Sequence, residues 1–90
     1  MAHSATLNWT ASIDAVDGYN IYLRDTSGGA KTKMNEALVT GTTFVDPTIT
    51  PGTFFYTAVS VKDGVESVET PEVTAVCLPA APTNLAVTVV

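Results

Sequence analysis

The stretch PGTFFYTAVSVKDGVES, residues 51–67, sets a long apolar run against an Asp-Gly pair and then turns apolar again. Asp-Gly between two apolar runs is the strongest short-range signal for a tight β-hairpin. The run itself is too rich in β-branched and aromatic residues to favour a helix. The same grammar recurs along the chain: short stretches of period two, each closed by a turn cluster. ATLNW (5–9) alternates, with Ala5, Leu7 and Trp9 on one face. YNIYLR (19–24) alternates again, with Tyr19, Ile21 and Leu23 opposed to Asn20, Tyr22 and Arg24. Period two places alternate residues on one face of a strand.

Between these runs lie TASIDAVDG, DTSGGA and the Asp46-Pro47 pair. KTKMN reads as a short edge strand whose lysines discourage edge-to-edge pairing. ALVTG leads into the strand TTFVD, which Pro47 is expected to end because proline lacks a ladder donor. VES and PEVTAV complete the last strand of the body. Turn signals every ~8–12 residues with no helical period indicate an antiparallel sandwich. Its expected core is Leu7, Trp9, Tyr19, Ile21, Leu23, Phe55, Val59 and Val61, with Phe55, Thr57, Val59 and Val61 sharing one face and Tyr56 pointing outward.

Ninety residues make one domain, near the size at which a single core suffices. Apolar residues are 46% of the chain and charged residues 14%, so the chain carries core material and is no polyelectrolyte. The net charge of −5 and the lack of a basic stripe argue against nucleic acid and against an anionic membrane surface as partners. No apolar run is long enough to span a bilayer. One cysteine, Cys77, allows no internal disulfide. Met-Ala-His-Ser has neither the basic patch nor the apolar region of a secretory signal.

In order and spacing these segments resemble a fibronectin type III domain of the kind found in bacterial and bacteriophage proteins. LNW resembles strand B, GYNIYL strand C, ITPGTFF the corner into strand F, AVSVKDGVES the F–G hairpin, and PEVTAV strand G. The resemblance implies an all-β, immunoglobulin-like antiparallel β-sandwich whose body, residues 1–78, starts at strand B. Two departures stand out. The family's corner tyrosine falls at Phe55, which has no hydroxyl. And the family's strand A, normally first, resembles PAAPTNLAV at residues 79–87, so residues 79–90 form a strand-A-like tail at the far end of the chain.

Little in the chain points to catalysis or to a cofactor. His3 is the only histidine, and a metal site or catalytic triad needs more partners than it has. Cys77 reads as a small hydrophobe closing the last strand. Asp14 and Asp17 are two loop carboxylates without the ligand spacing of a calcium loop. SGGA lacks the Lys-Ser/Thr of a phosphate-cradling loop and reads as a turn. Asn8-Trp9-Thr10 fits a glycosylation sequon but sits inside a strand. No catalytic residue, metal ligand or cofactor is therefore expected.

Two candidate surfaces remain. Tyr22 on strand C, with Phe54 and Tyr56 on strand F, would form an outward aromatic face able to meet a protein partner or stack on a surface glycan. The tail offers the other. In the resembled fold strands A and G run the same way, so a chain leaving strand G must turn back to supply its own strand A. The link of about seven residues, stiffened by Pro79 and Pro82, spans at most ~25 Å. Leu85, Val87 and Val89 share one face and are expected to dock as strand A on a neighbouring copy, head to tail. The leading expectation is a non-enzymatic structural subunit of a bacteriophage virion, such as a capsid decoration or fibre component in contact with a capsid or tail protein, or of an extracellular filament. A carbohydrate- or cell-surface-binding adhesion module is the alternative. A piece of a tandem array, cut after the next domain's first strand, is a third.

Overall fold

The computed structural model describes residues 3–89. These residues are all-β, with seven strands in two antiparallel sheets. The strands are β1 (His3–Asn8), β2 (Gly18–Arg24), β3 (Thr32–Lys33), β4 (Thr43–Ile49), β5 (Gly52–Lys62), β6 (Val65–Glu66) and β7 (Val73–Cys77). β1 and β4 form one sheet by themselves. The other runs β3-β2-β5, with both β6 and β7 pairing β5. Lys62 faces Val65 across a two-residue turn in which Asp63 and Gly64 both have positive φ, 51° and 77°. That is the hairpin geometry an Asp-Gly pair favours.

The register of β2 on β5 decides which face is the interior. Leu23 lies opposite Tyr56, Ile21 opposite Ala58 and Tyr19 opposite Ser60. Residues directly opposite share a face, so Tyr19, Ile21, Leu23, Phe54, Tyr56 and Ala58 form one side. This side meets the β1–β4 sheet. The Trp9 and Tyr19 rings meet edge to face with centroids 5.5 Å apart, and the Tyr56 hydroxyl donates to Asp46 Oδ2 at 2.8 Å. Tyr56 is 2% exposed and Ile21 fully buried.

Two expectations are thereby corrected. Tyr56 points inward, and the tyrosine that ties β5 to another part of the chain is Tyr56 itself, one residue beyond Phe55. Phe55, Thr57, Val59 and Val61 do share a face, but it is the opposite one, opposite Arg24, Tyr22, Asn20 and Gly18. Thr57, Val59 and Val61 are still buried, on a face where the polar side chains of Asn20, Tyr22, Arg24, Glu66 and Glu69 interlink. A shift of one residue along a strand moves its whole side-chain set to the other face, and β5 is apolar enough on both faces to accept either.

Pro47 does not end its strand. β4 continues to Ile49, and the register against β1 slips between the Ala5–Asp46 and His3–Ile49 pairs. Pro47 falls in this irregularity, where a missing N–H is tolerated.

Removing the Tyr56 hydroxyl leaves Asp46, which is 4% exposed, short of one donor. Tyr56→Phe is expected to lose about 1–3 kcal/mol. Tyr22→Phe, which removes a hydroxyl that donates to Glu66 at the exposed surface, should lose less, under about 1 kcal/mol. Urea denaturation of both variants checks this, and equal losses would contradict the inward placement.

Candidate assembly site

The two sheets are unequal, and the smaller one leaves both of its outer edges unpaired among the described residues. β1 pairs with β4 along one edge only; among the described residues no strand pairs with its other edge. The backbone phase of that free edge follows from a single bond. Trp9 N–H donates to Thr42 C=O at 3.0 Å, extending the ladder past Asn8–Thr43. Hydrogen-bonding direction alternates along an antiparallel strand. Trp9, Leu7 and Ala5 thus bond toward β4, while the N–H and C=O groups of Asn8 and Thr6 point to the free edge.

Beside this edge lies a cleft of about 370 Å³ between the sheets, reaching β1 from Ala5 to Trp9, β5 at Tyr56 and Ala58, and β7 at Val73. Its lining carries the mark of an uncovered core. Val73 lies opposite Tyr56 on the interior face, yet it is 64% exposed. Leu7 and Trp9, also interior, are only half-buried. The Trp9 indole Nε1 is out of solvent and has no hydrogen-bond partner in the structure.

The opposite flank of the larger sheet is sealed. β3 covers β2 at Tyr22 and Leu23, and Met34 N–H donates to Ile21 C=O at 2.8 Å. Asn35 then stands in for a strand: its Oδ1 accepts from Ile21 N–H at 2.8 Å, and its Nδ2 donates to Asn20 Oδ1 and Ala37 C=O, both at 2.9 Å. Val39 completes the cover by exchanging backbone bonds with Tyr19. Gly18 permits this approach, since a β-carbon there would meet Leu38 Cβ at 2.9 Å and Val39 O at 3.0 Å.

The outer face of the larger sheet is closed by charge. Arg24 reaches both carboxylate oxygens of Glu69 at 3.0 Å, and Thr57 donates to Glu69 at 3.1 Å. Glu66 accepts from Asn20 at 2.9 Å and from the Tyr22 hydroxyl. Glu72 accepts from Ser27 Oγ at 2.6 Å and Gly28 N–H at 2.9 Å. Each bond favours the ionised carboxylate. The donors hold all three acids below the usual glutamate range: Tyr22 first for Glu66, Arg24 for Glu69 and Ser27 for Glu72. Burial and the bond to Asp46 push the Tyr56 hydroxyl well above its ordinary value.

The proposed aromatic face is not assembled. Tyr22 lies opposite Thr57 on the outer face, whereas Phe54 and Tyr56 lie on the interior face. Tyr22 is further engaged by Lys31, whose Nζ sits 4.3 Å from its ring centroid. Asp17 is used within the fold, accepting from Asp63 N–H at 2.8 Å. Asp14 is exposed, and Cys77 is half-buried at the end of β7.

The tail behaves otherwise. Leu85, Val87 and Val89 are 93%, 86% and 87% exposed, and residues 78–89 contain no strand. They extend away from the body, giving a molecule 71 Å long and only 24 by 21 Å across. Val90, the last residue of the expected donated strand, lies outside the described residues. The open edge of β1 follows from the expected docking of a strand A there, whereas Val73 went unidentified in the sequence and is revealed by the pairing of β7 with β5.

No family model matches the chain, and no solved structure matches it. Among curated proteins, an amylopullulanase of Thermoanaerobacterium saccharolyticum is 37% identical over 76 residues, 84% of this chain. The chain spans 6% of that protein's length.

The glutamates generate a prediction. Their unfolded counterparts titrate near 4.5 and bind protons more readily than the folded forms. Their contribution to stability is complete above that value and is lost as pH falls through the lower folded values. The melting temperature should therefore drop on acidification below about pH 4.5, with a shallower drop in Glu69→Gln. A flat profile down to pH 2.5 would contradict this role.

Proposed function

We propose that this chain is a non-enzymatic structural module of fibronectin type III type that assembles head to tail, each copy giving its C-terminal strand to the next. The observation that carries the reading is the pairing of two complementary defects. The body has an interior cleft beside an unpaired strand edge, and the tail has an unburied apolar stripe of strand period. The strand arrangement supports the family reading: β1 and β4 correspond to B and E, and β2, β5 and β7 to C, F and G, and no described strand takes the place of A beside β1.

The energetics favour an assembly that responds to concentration. Burying Leu85, Val87 and Val89 contributes roughly 1.5–3 kcal/mol each. Ordering the tail costs about 1–2 kcal/mol per residue, offset in part by ladder hydrogen bonds of about 0.5–1.5 kcal/mol each. The balance is modest, so mass action governs polymer length. Covering the β1 edge also removes a template for unspecific strand pairing. A subunit of a virion or of an extracellular filament fits this behaviour. The tail's acceptor is a module with the same open edge, and a second copy of the chain supplies one.

Light scattering over a concentration series tests the reading. The protein should grow from monomer to long polymers as concentration rises. Val87→Asp, which alters only the exposed tail, should stay monomeric with an unchanged far-UV spectrum. A protein that is monomeric throughout, or a Val87→Asp variant that polymerises like the parent, would refute the proposal.

A further inference from the structure

Resting on donation as proposed above, the geometry points to one register and one direction for the incoming strand. We infer that the tail of a second copy lies antiparallel to β1, with Ala86 opposite Asn8 and Thr88 opposite Thr6.

The length of the two partners sets the frame. The Thr83–Asn84 bend, with Asn84 at a φ of +58°, precedes the apolar stripe, so a regular strand begins at Leu85. Leu85 to Val89 are then available among the described residues. On the acceptor, the cleft meets β1 from Ala5 to Trp9, and beyond Ala5 the β1 register is irregular. Five donor residues thus face five acceptor residues. A slip of two residues either way carries Leu85 or Val89 beyond the cleft, and a slip of one turns the apolar stripe to solvent.

The backbone phase agrees with this alignment. Thr6 and Asn8 direct their N–H and C=O groups to the free edge, so their opposite residues form the hydrogen-bonded pairs. In the inferred register these are Thr88 and Ala86, whose side chains face outward. Leu85, Val87 and Val89 fall at the non-hydrogen-bonded positions, where opposite side chains approach most closely. They enter the cleft beside Trp9, Leu7 and Ala5, with Val73 across from them.

Direction determines the form of the assembly. Cys77 lies opposite Gly52, and only Thr50 and Pro51 separate Gly52 from Ile49, the partner of His3. The tail therefore leaves its own body at the end where β1 begins. An antiparallel tail enters the acceptor at the Trp9 end, so successive bodies point the same way and the contact repeats head to tail, as a filament or a ring of several copies instead of a closed pair. A parallel tail would bring two β1 starts together and close a reciprocal pair. Every strand pair among the described residues is antiparallel, and antiparallel ladders are the more stable per residue.

Disulfide trapping tests the inference. In a Cys77→Ala background, one chain carries Thr6→Cys with Thr88→Cys, another Asn8→Cys with Ala86→Cys, and a third Thr6→Cys with Val87→Cys. All these positions but Cys77 are exposed in the single chain. Mild oxidation of assembled protein should give a denaturant-resistant ladder for the first two chains, reversed by reductant, and none for the third. No parallel register aligns both of the first two pairs. Polymers that fail to cross-link, that link only one of those pairs, or that yield only linked dimers would overturn the register while leaving donation intact. If the Cys77→Ala parent does not assemble at all by light scattering, donation falls and the register with it.

Discussion

A two-stranded sheet cannot cover a five-stranded one, and most of what distinguishes this molecule follows from that mismatch. Tyr56, Ile21 and Tyr19 are buried because β1 and β4 lie over them. Val73, on the same face but farther toward the β7 edge, has nothing above it. The contrast between Tyr56 at 2% exposure and Val73 at 64%, directly opposite each other, locates the missing cover to within one strand's width.

The β2 edge and the outer face of the larger sheet are closed, in contrast to the β1 edge. The β2 edge has its backbone groups occupied by Met34, by the Asn35 side chain and by Val39. The outer face of β5 carries buried Val59 and Val61, and across that face the side chains of Glu66 and Glu69 bond Asn20, Tyr22, Arg24 and Thr57. These polar contacts do by hydrogen bonding what a further layer would do by burial, at the cost of acid sensitivity. No equivalent device protects Thr6 and Asn8.

The sequence conveys strand positions well, because alternation and turn chemistry are local. Asp63-Gly64 forms the expected tight turn, and the edge strand at Thr32–Lys33 lies where its lysines suggest. It conveys facing poorly wherever a strand is apolar on both sides. Phe54, Tyr56 and Ala58 compete with Phe55, Val59 and Val61 for the interior, and only pairing with β2 decides between them. That non-local register also separates Tyr22 from Tyr56 and dissolves the aromatic face. The stripe at Leu85, Val87 and Val89 is legible because it is local; the cleft is not, because it joins residues from β1, β5 and β7.

The central claim is that the outward backbone groups of β1 are paired in the working state. Hydrogen exchange at the Thr6 and Asn8 amides measures this directly. Under assembling conditions both amides should be protected to the same degree as those bonded within the β1–β4 ladder, and the protection should vanish when dilution returns the protein to monomer. Exchange at loop-like rates in the assembled protein would show that the edge stays open, and the account would be wrong.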